Sequence, residues 1–243
     1  MKCLILAAGY ATRLYPLTEN FPKPLLEVRG KTILDWLIED IGDAADEFIV
    51  ISNHKFVSFF EEWAGKRPEP ITVLDDGTDT NETRLGAVCD ILFAVEKLGV
   101  DDDCLIIAGD NLLDFSLRSF IGYAREKGVS CTMRYREADG KWLRRSGVSE
   151  IAEDERLLSL EEKPETPKSE WCTPPFYYYV AADMKKIGDA IADGCGTDAP
   201  GSLVAWMCRK SPMYSMEMPG SRYDIGNLES YKNVCETYGG TVR

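Results

Sequence analysis

Apolar residues along this chain follow two alternating patterns, and the alternation predicts an architecture. Strands are expected over 4–7, 47–52, 70–74 and 104–108; the last is a continuous apolar run, which fits a parallel strand covered on both faces. Between them the spacing becomes helical. Ile33, Leu34, Trp36, Leu37, Ile38 and Ile41 form a broad apolar face behind Thr32, which can cap the helix. Further helices are predicted near 55–64, 83–98 and 116–127, and a strand over 129–135. This order predicts an α/β fold: a Rossmann-like domain whose mixed, mainly parallel central sheet carries helices on both faces. The second half is more mixed. Strands over 148–151 and 157–161 form an antiparallel pair, a tyrosine-rich strand follows over 176–181, and helices are expected over 184–192 and 200–209. A strand over 213–218 and a helix over 228–238 complete the pattern. No repeat of 20–50 residues interrupts it, so one domain is expected over 1–243, with halves at 1–135 and 136–243.

Composition narrows the class. A chain of 243 residues with 44% hydrophobic and 28% charged residues is ordinary for a globular protein. The net charge of −13 argues against nucleic acid as a partner. No window approaches the roughly 18 apolar residues of a membrane helix. The opening apolar run is short, and Arg13 and Pro16 follow it without a cleavage site, so a buried first strand is expected rather than a signal peptide. Eight cysteines lack any C-x-x-C pair and only one histidine is present, which predicts reduced thiols in a cytoplasmic protein and no zinc site.

Against that acidic background, the chemistry concentrates at the start. The first strand runs through Leu6 into Ala7, Ala8, Gly9, Tyr10, Ala11 and Thr12, with Arg13 next and Lys23 ten residues on between two prolines. Small side chains let backbone N–H groups approach an anion closely. Arg13 adds a planar fork and Lys23 a point charge. The segment is therefore a phosphate-handling device, and neither a P-loop nor a G-x-G-x-x-G dinucleotide loop. Asp110 follows the apolar strand over 104–108, where ligands of open α/β sheets gather, and is placed to hold Mg²⁺ rather than only to cap a helix. His54 is expected to be structural. Lys141, Arg144 and Arg145 read as a solvated basic loop, and at least half of the rings of 176–179 as packing.

Two stretches carry a resemblance. Leu6-Ala7-Ala8-Gly9-Tyr10-Ala11-Thr12-Arg13-Leu14-Tyr15-Pro16-Leu17-Thr18 and Pro22-Lys23-Pro24-Leu25 resemble the opening signature of the sugar-1-phosphate nucleotidyltransferases, the glucose-1-phosphate thymidylyltransferase-like enzymes. Ala11 stands where that family usually has glycine. The resemblance implies transfer of a nucleoside monophosphate from an NTP to a sugar 1-phosphate with release of pyrophosphate. It implies that Leu85 and Gly86, at a helix start, approach the nucleotide. Gly147 then lies against the sugar, with Ser146 in place of a common tyrosine, and Glu162 and Lys163 contact sugar hydroxyls and phosphate. Asp224, which on its own reads as a turn or cap, becomes the second ligand of Mg²⁺ beside Asp110, with Arg222 where tryptophan is common. Arg13, Lys23 and Asp110 become the catalytic set. A short form without a β-helix tail is implied, with glucose 1-phosphate and dTTP or UTP as the first expectation. The base, the sugar and the oligomeric state stay open. A cytidylyltransferase acting on phosphocholine, with a cage from Trp142, Trp171 and the tyrosines at 177–179, is the nearer alternative. A non-catalytic module binding an NDP-sugar is the more distant one.

Overall fold

A computed structural model describes residues 1–242. In chain order the elements are β1 (Lys2–Leu6), β2 (Glu27–Val28), β3 (Lys31–Thr32), α1 (Ile33–Ile41), β4 (Glu47–Ser52), α2 (Val57–Ala64), β5 (Ile71–Asp75), α3 (Ala87–Leu98), β6 (Cys104–Ala108), β7 (Asn111–Leu113), α4 (Leu117–Lys127), β8 (Cys131–Arg136) and α5 (Gly140–Leu143). There follow β9 (Gly147–Ile151), β10 (Leu157–Glu162), β11 (Trp171–Thr173), β12 (Phe176–Tyr179), α6 (Ala181–Met184), α7 (Ile187–Ala192), α8 (Gly201–Met207), β13 (Tyr214–Glu217), β14 (Arg222–Asp224) and α9 (Leu228–Thr237). The fold is α/β, as the pattern predicts, and the chain divides into two compact units.

The first unit comprises 1–84, 108–119 and 219–243. Here β1, β4 and β5 run parallel, with Leu4 opposite Ile49 and Val50 opposite Val73. Their apolar runs are buried, Leu4, Ile5, Ile49, Val50 and Ile51 completely. Each such side chain contributes about 1.5–3 kcal/mol relative to exposure. Helix α1 starts where Thr32 accepts from the Asp35 N–H and Asp35 accepts from the Thr32 N–H, a reciprocal cap. It ends at Gly42, which takes φ +50. Strands β7 and β14 pair antiparallel as a separate ladder, with Asp224 opposite Asn111.

The second unit comprises 85–107 and 120–218. Its strands are mostly antiparallel: β12 lies against β6 and β8, β11 against β8 and β9, and β9 against β10. Only β13 joins parallel, on β8. All four rings of β12 are buried, and Tyr178 donates to Asp103 at 2.8 Å. These tyrosines are core, not a cage for a quaternary ammonium.

Three boundaries differ from the periodicity. Helix α3 begins at Ala87 rather than 83, because Gly86 sits at φ +90 and the Thr80 and Thr83 hydroxyls close a local turn of their own. The stretch 184–192 is broken between α6 and α7. There the chain buries Asp183, whose carboxylate accepts from Ser211 at 2.6 Å, from Lys186 at 2.8 Å and from Ser130. Asp224 lies in a strand, not a turn. All eight cysteines are free, four of them buried. No helix among the described residues is long and apolar enough to cross a membrane.

Candidate active site

In the first unit the loop after β1 is fixed at its ends and open in its middle. Ala7 N–H donates to the Ile51 carbonyl at 2.9 Å, and Asn53 Nδ2 donates to the Ala8 carbonyl at 2.9 Å. Tyr10 is buried and donates to the Thr78 carbonyl at 2.9 Å, and Thr18 donates to the Ala11 carbonyl at 2.8 Å. Burial, with the nearby Asp76, Asp79 and Glu82, pushes the Tyr10 hydroxyl up, so it stays a donor. Among the described residues the N–H groups of Gly9, Tyr10 and Ala11 make no hydrogen bond to the protein. Consecutive free N–H groups form a concavity for an anion. Ala11 reaches φ 48, ψ 40, the left-handed region, despite its methyl group. Thr12 and Arg13 follow in a short 3₁₀ turn, both exposed.

Lys23 is held quite differently. It sits in a 3₁₀ turn between Pro22 and Pro24 and is 7% exposed. Its Nζ donates to Asp110 Oδ2 at 2.7 Å. Asp110 gets there because Gly109 lets the chain graze β1: the Gly109 N–H donates to the Leu6 carbonyl at 3.0 Å. A Cβ on Gly109 would stand 3.1 Å from Ile5 and 3.2 Å from Leu34. The other Asp110 oxygen, Oδ1, accepts from Asn111 Nδ2 at 2.6 Å. Asn111 Oδ1 in turn accepts from Arg222 Nη1 at 2.7 Å, and Arg222 lies 3.8 Å from Asp224 Oδ2. Burial raises the Asp110 carboxyl, but Lys23 first and Arg222 next outweigh it and hold it below the ordinary carboxylate range. Lys23, Asp110, Asn111, Arg222 and Asp224 are therefore brought together, although 87 positions separate the first two. Asn111 and Arg222 were not singled out as partners by the sequence; the Gly-Asp-Asn triplet was the available signal.

Asp110 and Asp224 are the carboxylates of this cluster. No group of three or more His, Cys, Asp or Glu side chains fit to hold a metal occurs among the described residues. Two carboxylates alone suit a hard cation that keeps waters and phosphate oxygens as its remaining ligands.

The second unit holds Leu85, Gly86, Gly147, Glu162 and Lys163. Leu85 is 37% exposed. The first N–H groups of α3 are already taken: Ala87 donates to the Asp198 carbonyl at 3.4 Å and Val88 to the Thr197 carbonyl at 3.0 Å. Glu162 ends β10 opposite Gly147, which itself lies opposite Thr173 of β11. A Cβ on Gly147 would stand 3.1 Å from Glu162 Oε2, and one on Gly201 2.2 Å from the same atom. Glu162 thus occupies space that two glycines leave, and Gly201 is a further residue of this cluster that the sequence reading passed over. Burial raises the Glu162 carboxyl; the neighbouring Lys163 lowers it and Asp198 raises it further. Lys163 adopts φ +50 and donates its N–H to the Ser146 carbonyl at 3.0 Å.

His54 and Trp142 make contacts of another kind. His54 Nδ1 is 2.6 Å from Asp75 Oδ2, which fits a structural role. Trp142 is 56% exposed on α5, with Arg145 stacked over it at 5.9 Å.

The family profile described as nucleotidyl transferase matches residues 2–239. The chain is 32% identical over 245 residues to the bifunctional protein GlmU of Methanocaldococcus jannaschii, covering 97% of this chain and 55% of that protein. It is 29% identical over 184 residues to the UTP–glucose-1-phosphate uridylyltransferase AglF of Haloferax volcanii, covering 75% and 73%. The chain spans about half the length of the first of these relatives. A solved UDP-glucose pyrophosphorylase complexed with UDP-glucose superposes with a TM-score of 0.82 at 17% identity, covering 98% and 97%. That likeness is one of fold.

Proposed function

Since the chain belongs to the nucleotidyl transferase family, we propose that it transfers a nucleoside monophosphate from an NTP to a sugar 1-phosphate and releases pyrophosphate. The observation that carries this reading is the Lys23–Asp110 ion pair at 2.7 Å, in the same unit as a loop with free N–H groups. Phosphoryl chemistry of this kind needs positioning and charge neutralisation more than a protein nucleophile.

In this reading the N–H groups of the loop from Ala8 to Thr12, with Arg13, bind the β- and γ-phosphates. Leu85 and Gly86 lie along the nucleoside. Lys23 turns from Asp110 to an oxygen of the α-phosphate and neutralises the charge that develops there. Lys163 orients the sugar phosphate, Glu162 accepts hydrogen bonds from sugar hydroxyls, and Gly147 leaves room for the ring. An oxygen of the sugar phosphate attacks the α-phosphorus in line. The new O–P bond forms as the α–β bridging bond breaks, and the electron pair leaves with pyrophosphate. No general base is required, because the attacking phosphate is already ionised. Asp110 and Asp224 would hold Mg²⁺, which supplies Lewis acidity at the phosphate when bound. A cytoplasmic setting accords with the free thiols.

For substrates, glucose 1-phosphate with UTP or dTTP is the specific reading. The Haloferax volcanii relative is named for UTP and glucose 1-phosphate. The test is pyrophosphate release with Mg²⁺ across ATP, GTP, CTP, UTP and dTTP against glucose 1-phosphate, mannose 1-phosphate and phosphocholine. Release that depends on one sugar phosphate is expected. Release only from CTP with phosphocholine, or none with any pair, overturns the reading.

A further inference from the structure

Position 222 holds arginine where the resembling enzymes commonly have tryptophan, and it is only 19% exposed along its side chain. A guanidinium has donors and no acceptor. The Asn111 oxygen must therefore face it, and does so at 2.7 Å. This turns the Asn111 amide nitrogen toward Asp110, where it donates to Oδ1 at 2.6 Å. With Lys23 on Oδ2 at 2.7 Å, neither oxygen of Asp110 can swing away without losing a charge-assisted bond. The same guanidinium stands 3.8 Å from Asp224 Oδ2. An indole can offer one donor but no charge, so tryptophan cannot do both.

We propose that Arg222 is a positioning residue: through Asn111 it locks the Asp110 carboxylate in one orientation, and its charge moderates how tightly Asp110 and Asp224 grip a divalent cation. The proposal rests on the reading of those two carboxylates as the metal-holding pair. It gives loss of Arg222 two consequences of opposite sign. The cation binds more tightly, because a positive neighbour is gone, and turnover falls, because Asp110 loses its alignment.

The test measures Mn²⁺ binding to the full chain by electron paramagnetic resonance, without nucleotide, alongside kcat for the pyrophosphate-releasing reaction. The set is the wild type, Arg222→Gln, Arg222→Trp and Arg222→Lys. For the Gln and Trp variants Mn²⁺ is expected to bind about three- to tenfold more tightly, while kcat falls about ten- to a hundredfold. Arg222→Lys, which keeps the charge but loses the planar fork, should bind Mn²⁺ within about twofold of wild type and recover part of kcat. A residue that merely props the ladder of β7 and β14 would weaken both quantities together. Unchanged Mn²⁺ affinity, or loss of both with a lowered melting temperature, overturns the proposal. Should the Gln and Trp variants fail to fold, the Lys variant decides alone: full kcat with lysine overturns it. A wild type that neither binds Mn²⁺ nor turns over overturns the functional reading and the role of Arg222 with it. A wild type that does both beside an unmoved Arg222→Gln overturns the role of Arg222 alone.

Discussion

Asp110 and Glu162 each follow or end a strand, one in each compact unit, and they are held by opposite means. Asp110 is fixed by charge: Lys23, Asn111 and, one bond further, Arg222 bracket both of its oxygens. The Glu162 carboxylate makes no hydrogen bond or ion pair among the described residues, and its place is set by the side chains that Gly147 and Gly201 lack. Their acidities move in opposite directions accordingly. Burial presses on both, but the cations beside Asp110 outweigh it, whereas beside Glu162 they do not. A carboxylate held by charge should tolerate changes of volume and fail on loss of charge; one held by space should do the reverse.

The largest effect expected from this contrast is at Asp110. Asp110→Asn keeps size and still offers Lys23 an oxygen, but it leaves the buried Lys23 ammonium without a counter-charge and turns an amide N–H toward Asn111 Nδ2, so the fold should survive at a cost of about 1.5–3 kcal/mol. The lost negative charge should lower kcat about a thousandfold. Pyrophosphate release with a parallel melting curve checks both. Near-normal turnover would remove Asp110 from the metal-holding pair.

Volume should matter more at the second carboxylate. In Gly201→Ala the new methyl group would stand 2.2 Å from Glu162 Oε2, the free end of a flexible side chain. The carboxylate then turns aside at little cost to stability. We expect kcat/KM for the sugar phosphate to fall about tenfold, with little change in KM for the NTP. Glu162→Gln should cost a similar factor, and the double variant scarcely more than either, since both remove one interaction. Full additivity would mean that Gly201 acts on something other than Glu162.

The raised pKa of Glu162 gives a smaller, pH-dependent effect. Its folded-state value lies above the unfolded one, so the stability linked to its protonated form is present in acid and is lost as pH rises through the folded value. Glu162→Gln should therefore gain on the wild type at pH 8 relative to pH 4, by a few degrees in melting temperature at most. A gap that does not change with pH would show that the Glu162 carboxyl is not perturbed by folding.

Much of this contrast could be read in the sequence, and the unread part has a common cause. Strands β4 and β6 fall at the predicted 47–52 and 104–108 because their apolar stretches, 48–51 and 104–107, are buried, and α1 starts at its predicted cap. Asp110 was visible because it follows such a run. The pairing of Asp224 with the β7 strand was not, since a three-residue ladder has no periodicity to detect. The resemblance alone associated the two aspartates. Gly201 was passed over because a glycine whose value lies in a missing contact leaves no mark on local pattern. The helix expected from 83 failed for a related reason: Gly86 must approach the Thr197 carbonyl, which a Cβ would meet at 2.6 Å.

Ala11 supplies the smallest test, and it inverts the case of Gly201, because here a methyl group is present where the backbone favours none. At φ 48 an L-residue carries about 1–2 kcal/mol of strain that glycine does not. Glycine loses about 0.5–1 kcal/mol to the greater freedom of the unfolded chain. Ala11→Gly should therefore stabilise the protein by about 0.5–1 kcal/mol, seen as an increase of a few degrees in melting temperature. The Thr18 hydroxyl and the Leu14 N–H both bond the Ala11 carbonyl, so the loop should keep its shape and its free N–H groups, and KM for the NTP should stay within about twofold. A destabilised variant with raised KM would mean that the methyl group braces the loop, and that space, rather than hydrogen bonding, sets the loop after β1 as it sets Glu162.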